Sequence, residues 1–342
     1  MTFSLIIPCY NIAPFIARCI DSLVSQTYTN WECLCIIDGA TDGVDQVLTD
    51  YLRHEPRLKI ILQRNGGVGS ARNRGVSLAT GDYVWYIDGD DAIAPNALEM
   101  INLRLSKTPV QAITFDSIPA VETLDLDAVR LFGNEPFRTY NFSIPQEAIA
   151  GFYNLAGSLI AWNGVFHRDL VSSIRFCGMK NGEDIIFGAE VVCRLTGKLI
   201  AWAARPYIHY DRVGSAMYNR PKLPRFRDAI EGARRLLIIG QQWHFFSPAV
   251  RPLLQRKVIS HVFGYFSQYL SALTKAERRI IWRETFQSLC VPSQGMGLFH
   301  HLLQTHSPAI VWLFIIWPWR IKAFFAQSRW IRTLWRKLLR FS

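Results

Sequence analysis

The sequence has 342 residues, half of them apolar and 19% charged, which excludes a disordered chain and leaves room for a sizeable core in one large domain or two smaller ones. The formal net charge is +11, and seven basic residues (Arg320, Lys322, Arg329, Arg332, Arg336, Lys337 and Arg340) follow the last acidic one, Glu284, an asymmetry that points to an anionic partner for the tail. Seven cysteines without a C-x-x-C spacing argue against a zinc site and read as buried free thiols in a reducing cytosol; the opening "MTFSLIIPCYN" lacks the basic region and cleavage site of a secretion signal.

In chain order, the apolar run 3–8 predicts a buried strand, and apolar residues at helical spacing predict a helix over 13–26. "WECLCIID" predicts a second strand, 31–38, followed by an Asp42-capped helix to about 52. A strand at 58–63, a helix at 69–79, a strand at 83–87, a helix at 96–105 and a strand at 112–115 complete the alternation. Repeated βα units imply a mainly parallel, doubly wound sheet, whose ligands sit at the carboxyl ends of the strands. Residues 116–225 are less periodic, with a turn-rich "GMKNGED" near 180, and from about 226 the pattern becomes helical.

Two acidic groups fall on the expected ligand edge. Asp88, Asp90 and Asp91, in "YIDGDD", have the spacing of a metal–diphosphate site for Mg²⁺ or Mn²⁺, or of a solvated loop. Asp38, in "IIDGATDG", suits an acceptor for an N–H on a nucleobase edge, or a turn residue. The glycine-rich "NGGVGSARNRG" (65–75) enters a helix whose amino terminus favours anions, with Arg72 as a phosphate-geometry partner. It follows the third strand and lacks the third glycine of a dinucleotide fingerprint, and no G-K-[ST] of a phosphate loop occurs.

Taken in series, "SLIIPCYN", "IIDGATDG", "NGGVGSARNRG" and "YIDGDD", with "SQTYTNWE" between the first two, resemble family 2 glycosyltransferases of the GT-A fold. The resemblance covers residues 3–100. It continues loosely through "AWNGVFHRDLV", "NGEDIIFGAEVV" and "YIHYDRVGSAM", which look like the acceptor half of bacterial surface-polysaccharide enzymes. It implies three regions: a nucleotide-sugar-binding half over 1–115, an acceptor and catalytic half over 116–225, and a helical carboxyl-terminal region over 226–342. It further implies that Pro8, Tyr10, Asn11 and Gly67 line the nucleotide pocket and that Asp38 accepts from the uracil N3–H. Arg72 would lie near the nucleotide, Asp90 would contact ribose or metal, and Asp91 would ligate a Mg²⁺ or Mn²⁺ ion. Asp184 falls at the position of the catalytic base, in an acidic pair with Glu183; without the resemblance, the pair reads as a solvated helix start.

The implied reaction is inverting transfer from a nucleotide-sugar donor, UDP-linked, to a lipid-linked saccharide. Two departures stand out: the second strand ends "IID", with one acid where the family often has two, and His209 with Asp211 occupies a stretch where relatives often carry Tyr and Arg. His209 reads as a structural histidine, with metal ligation as the other option. Rival readings are a nucleotidyltransferase, which would release pyrophosphate, and a catalytically inactive membrane-binding protein.

"AIVWLFIIWPW" (309–319) is apolar for only eleven residues, short of a spanning helix of about 20. Beyond it Ile331, Leu334, Trp335, Leu338 and Phe341 share one helical face, opposite Arg329, Arg332, Arg336 and Arg340. A basic, Trp-rich amphipathic helix predicts a membrane-associating extension that lies on an anionic surface, with a helix packed on the catalytic domain as the alternative. The protein would then be cytoplasmic and peripheral on the inner face of the cell membrane. Nucleic acid is not an expected partner, since no recognised module is present.

Overall fold

The computed structural model describes residues 1–120, 129, 131, 134–144, 160–179, 182–211 and a few positions between 227 and 239. The tail over 309–341 and most of the region from 226 onward lie outside the described residues. The chain divides into two compact units, Met1–Pro221 with Arg235–Leu254, and Lys222–Arg234 with Gln255–Ser342; every element described below lies in the first.

That unit opens with β1 (Phe3–Cys9), α1 (Ala13–Val24), β2 (Trp31–Asp38), α2 (Val44–Leu52), β3 (Leu58–Gln63), α3 (Val68–Leu78) and β4 (Tyr83–Tyr86). Then come β5 (Ala92–Ile93), α4 (Ala97–Lys107), β6 (Ala112–Thr114), β7 (Ser117–Ala120), β8 (Phe137–Asn141), β9 (Gly164–His167), α5 (Arg168–Val171), α6 (Glu183–Arg194), β10 (Lys198–Trp202) and β11 (Tyr207–Tyr210). The expected βα elements all form, with ends shifted by one or two residues.

The main sheet has the order β3-β2-β1-β4-β9-β6-β10-β8. β1 pairs in parallel with both β2 and β4, and β2 with β3; β9 enters antiparallel between β4 and β6. The chain winds outward from β1 toward β3 and then crosses β1 to lay down β4. The order reverses there, so a crevice opens beyond the carboxyl ends of β1 and β4. A second sheet, β5-β11-β7, caps this end of the fold. The α/β architecture with a mainly parallel sheet agrees with the sequence expectation. The antiparallel β9 and the small second sheet were not anticipated.

β1 and β2 are continuous apolar runs because both of their faces are covered. On one face Phe3, Leu5, Ile7, Cys33, Cys35 and Trp85 meet the buried stripe of α1 (Ile16, Cys19, Ile20, Leu23) and Leu98 and Ile101 of α4. On the other, Phe187 of α6 stacks on Phe176 at 4.6 Å and meets Tyr86 and Phe166 edge-on, which seats α6 against the end of β4. Asp42 does not occupy the capping position of α2, which Gly43 takes in a left-handed conformation. Its carboxylate instead accepts from the N–H of Ala13 at 2.6 Å and of Val44 at 3.3 Å, serving the openings of two helices at once. Among the described residues, no helix is long and apolar enough to cross a membrane.

Candidate active site at the carboxyl edge of the sheet

Three segments of the first hundred residues meet at the crevice. After β1, Tyr10 is 52% exposed, and Asn11 holds a left-handed φ of +51° while its Oδ1 accepts from the N–H of Thr41 at 3.0 Å. Pro8 is half-buried in β1. Asp38 ends β2 and is buried; its Oδ1 accepts from Gln63 Nε2 at 2.7 Å and Gly66 N–H at 2.8 Å, and its Oδ2 from Gly67 N–H at 2.7 Å. Gly67 can turn its N–H back to this carboxylate while opening α3 because it holds φ at +85°, a conformation that favours glycine. An ionised carboxylate has more lone-pair positions than the three donors here, so Asp38 retains capacity for a ligand N–H.

The loop after β4 is drawn tight over the core. A Cβ on Gly89 would lie 2.4 Å from Ile12 Cδ1, so Asp88 and Asp90 are separated by the one residue type that lets the turn pass. Asp88 Oδ1 accepts from Arg72 Nη2 at 2.9 Å. The other terminal nitrogen of Arg72, Nη1, donates to Asp184 Oδ1 at 2.6 Å and to Glu183 Oε1 at 3.3 Å. Arg72 itself is 2% exposed, so one buried guanidinium holds three acids from β4 and α6. Glu183 and Asp184 stand in the first turn of α6, where the helix dipole favours negative charge. Burial and the neighbouring Asp184 nevertheless push Glu183 up to about 7 against the pull of Arg72. Burial likewise raises Asp88 to about 6, opposed by Arg72 and reinforced by Asp91 and Asp90.

Asp91 belongs to a different environment. It is 1% exposed; Oδ2 accepts from the Tyr207 hydroxyl at 2.7 Å and lies 3.1 Å from His209 Nδ1, while Oδ1 accepts from the Tyr210 N–H at 2.9 Å. The bond to Asp91 raises His209 to about 9 against the effect of burial, so the ring is an imidazolium at neutral pH. The Tyr207 hydroxyl also accepts from the Asp88 N–H at 3.1 Å, joining the acidic loop to β11. Arg18 lies over the Tyr210 ring at 3.5 Å and donates to the Asp90 carbonyl at 2.6 Å.

This arrangement bears on two expectations. Asp91, expected as a metal ligand, is held by three partners on β11 and, like Asp38, keeps a lone-pair position beyond them. Among the described residues no three His, Cys, Asp or Glu side chains converge as a metal centre, whereas an ion that arrives with a diphosphate needs only one or two protein carboxylates. Arg72, expected beside the nucleotide, has Asp88, Glu183 and Asp184 as its protein partners. The structure does bring Asp184 and Glu183 to the end of β4, and it leaves Pro8, Tyr10, Asn11, Asp38, Gly67 and Asp90 along the same edge. Tyr207, Tyr210, Trp162 and Arg18 went unassigned in the sequence. Trp162 stacks on both Tyr207 (4.8 Å) and His209 (6.0 Å), and the aromatic run "YIHY" beside an acidic loop was the available signal.

Comparison with known proteins agrees with this geometry. Residues 4–148 match the model of the family described as glycosyl transferase family 2. The putative glycosyltransferase EpsH of Bacillus subtilis (strain 168) is 28% identical over 236 residues, 66% of this chain and 65% of that protein. The chondroitin synthase of Escherichia coli is 41% identical over 98 residues, 28% of this chain and 14% of that one. The chain therefore spans less than two thirds of each of these relatives. Among solved structures, Staphylococcus aureus TarS 1–349 in complex with UDP superposes with a TM-score of 0.66 at 17% identity, covering 85% of this chain and 81% of that one, a likeness of fold.

Proposed function

We propose that this protein is an inverting glycosyltransferase that moves a sugar from a UDP-linked donor to a saccharide hydroxyl in bacterial polysaccharide synthesis. The observation that carries the reading is the junction at Arg72. Through it, Asp184 stands beside Asp88 at the end of β4, on the same edge as Asp38 and the loop that opens α3. The UDP in the complex of the TarS neighbour and the printed activities of the relatives support a sugar nucleotide as the donor.

In this reading Tyr10, with Pro8, Asn11 and Gly67, borders the nucleoside, and Asp38 takes the N3–H of uracil. The acceptor hydroxyl is a poor nucleophile. Asp184 takes its proton as the oxygen bonds to the anomeric carbon from the face opposite the leaving group. The bond from that carbon to the phosphate oxygen breaks, UDP leaves, and the configuration inverts. Glu183 lies beside the base as the second acid on the same guanidinium. A divalent cation carried in on the donor diphosphate, which needs only one or two protein carboxylates, would meet Asp90 and supply Lewis-acid stabilisation of the departing charge.

We assign residues 1–115 to the donor and 116–225 to the acceptor. The basic tail over 309–341 is assigned to an anionic membrane surface on the cytoplasmic side, where a lipid-linked acceptor would be found. The test is incubation of the full chain with a panel of UDP-sugars and Mn²⁺, reading UDP release and sugar transfer. Release of UDP that is stimulated by a saccharide acceptor is expected. Pyrophosphate as the product, or no binding of any nucleotide sugar, overturns the reading. A chain ending at Gln304 is expected to lose co-sedimentation with anionic vesicles while keeping UDP binding; equal sedimentation of both chains overturns the membrane assignment.

A further inference from the structure

We infer that Arg72 is a positioning residue for Asp184, and that it acts on the proton-accepting carboxylate and not on the nucleotide. The inference rests on the glycosyl-transfer reading above and deepens it. Arg72 rises from α3, in the donor half, and its planar fork points two ways. Nη2 is fixed on Asp88, at the end of β4, and Nη1 on Asp184 and Glu183, at the start of α6. A guanidinium has rigid angles between its N–H groups, so fixing one nitrogen fixes the direction of the other. The 111- and 112-residue separations between Arg72 and its two partners in α6 show that nothing local sets this geometry. Asp184 has one oxygen held by Arg72 at 2.6 Å, and its side chain is 25% exposed, so the carboxylate is both oriented and reachable.

A nucleotide contact is the competing role, and the surroundings oppose it. The guanidinium is 3% exposed and lies 5.2 Å from the centre of the Phe176 ring. To reach a diphosphate, Arg72 would leave three acids without their cation, two of them largely buried, and breaking a buried pair in this way is strongly unfavourable.

The experiment compares Arg72→Lys, Asp184→Asn and the double variant in the full chain. It measures UDP affinity by calorimetry and single-turnover transfer at saturating donor, with melting curves as the folding control. A lysine keeps the charge but cannot bridge Asp88 and Asp184 with fixed geometry. Turnover in Arg72→Lys is expected to fall by about 10²-fold, the scale of a small misplacement of a reacting group, while the Kd for UDP changes by less than about threefold. In the Asp184→Asn background the same change is expected to cost less than about threefold more, because residues acting as a unit are not additive. A tenfold or greater loss of UDP affinity with turnover retained, or a full additional 10²-fold loss in the double variant, overturns the assignment. Should Arg72→Lys fail to fold, a crystal structure of the wild-type chain with UDP decides: Nη1 still on Asp184 supports the assignment, and Nη1 on a phosphate oxygen overturns it. A wild-type chain that binds no UDP overturns the glycosyl-transfer reading and this inference with it, whereas the other adverse results overturn the inference alone.

Discussion

Asp91 and Asp184 are both acids at the crevice, and the protein treats them in opposite ways. Asp91 is enclosed by three donors, a tyrosine hydroxyl, an imidazolium and a backbone N–H, and is 1% exposed. Asp184 shares a single guanidinium with two other acids and keeps a quarter of its side chain in the open. A carboxylate enclosed in this way anchors the strand that surrounds it. Three carboxylates around one guanidinium are electrostatically frustrated: burial first, and then the neighbouring acids, push Glu183 up to about 7 and Asp88 up to about 6 against the pull of Arg72. Frustration of that kind is a mark of a working site.

The sharpest way to break the contrast is at Asp184. Asp184→Asn keeps the shape and removes the proton acceptor, so turnover is expected to fall by a factor on the order of 10²–10⁴ with UDP affinity little changed. A collapse of UDP affinity with turnover persisting would place the base elsewhere. At Asp91 the expectation reverses. Asp91→Ala leaves the Tyr207 hydroxyl and the Tyr210 N–H buried without an acceptor, a loss of about 3 kcal/mol in unfolding free energy. Urea denaturation reads it, and a variant as stable as the parent would show that Asp91 is not the anchor of β11. Donor binding by the surviving folded fraction is expected to persist.

The smaller effects concern pH, and two groups give opposite signs. The folded pKa of His209 is raised to about 9, so its contribution is complete below the unfolded value near 6.5 and is lost as pH rises through about 9. The melting temperature of the parent should therefore fall relative to His209→Gln between about pH 6 and 9.5. Glu32 is the converse. Burial works against its charge, but bonds from Lys59, Ser4 and Thr80 hold it at about 2, so its contribution is complete above the unfolded value near 4.3 and is lost as pH falls toward about 2. Glu32→Gln should flatten the acid limb of the stability profile and leave the alkaline limb alone. An unchanged acid limb would show that Glu32 carries no pairing energy.

The sequence showed the scaffold clearly because the scaffold is local. Apolar runs at 3–8 and 31–38 and helical spacing at 13–26 report on residues that fold beside one another, and each became the element expected. Asp38 was readable for the same reason, since a strand followed by a glycine-containing loop announces its own end. The protein partners of Arg72 and Asp91 were not legible because they are remote in sequence. An arginine in a glycine-rich loop at a helix start predicts an anion, and no spacing rule announces that the protein's own Asp88, Glu183 and Asp184 gather around it. No spacing rule links position 91 to 207, 209 and 210. β5 was missed because it is two residues long, and β9 because a short strand inserted against the prevailing direction carries no period of its own.

The place of β9 bears on how the chain is made. β4 and β6 flank a slot that only residues 164–167 fill. A ribosome adding about 5–20 residues per second takes roughly 3–10 seconds to travel from the end of β6 to the start of β9. Throughout that interval the half-made sheet ends at β4, and the bare border of that strand, with Trp85 on it, invites pairing with another nascent chain. Synthesis thus passes through a window of vulnerability whose length is set by the segment between β6 and β9, and slow codons placed there would prolong it.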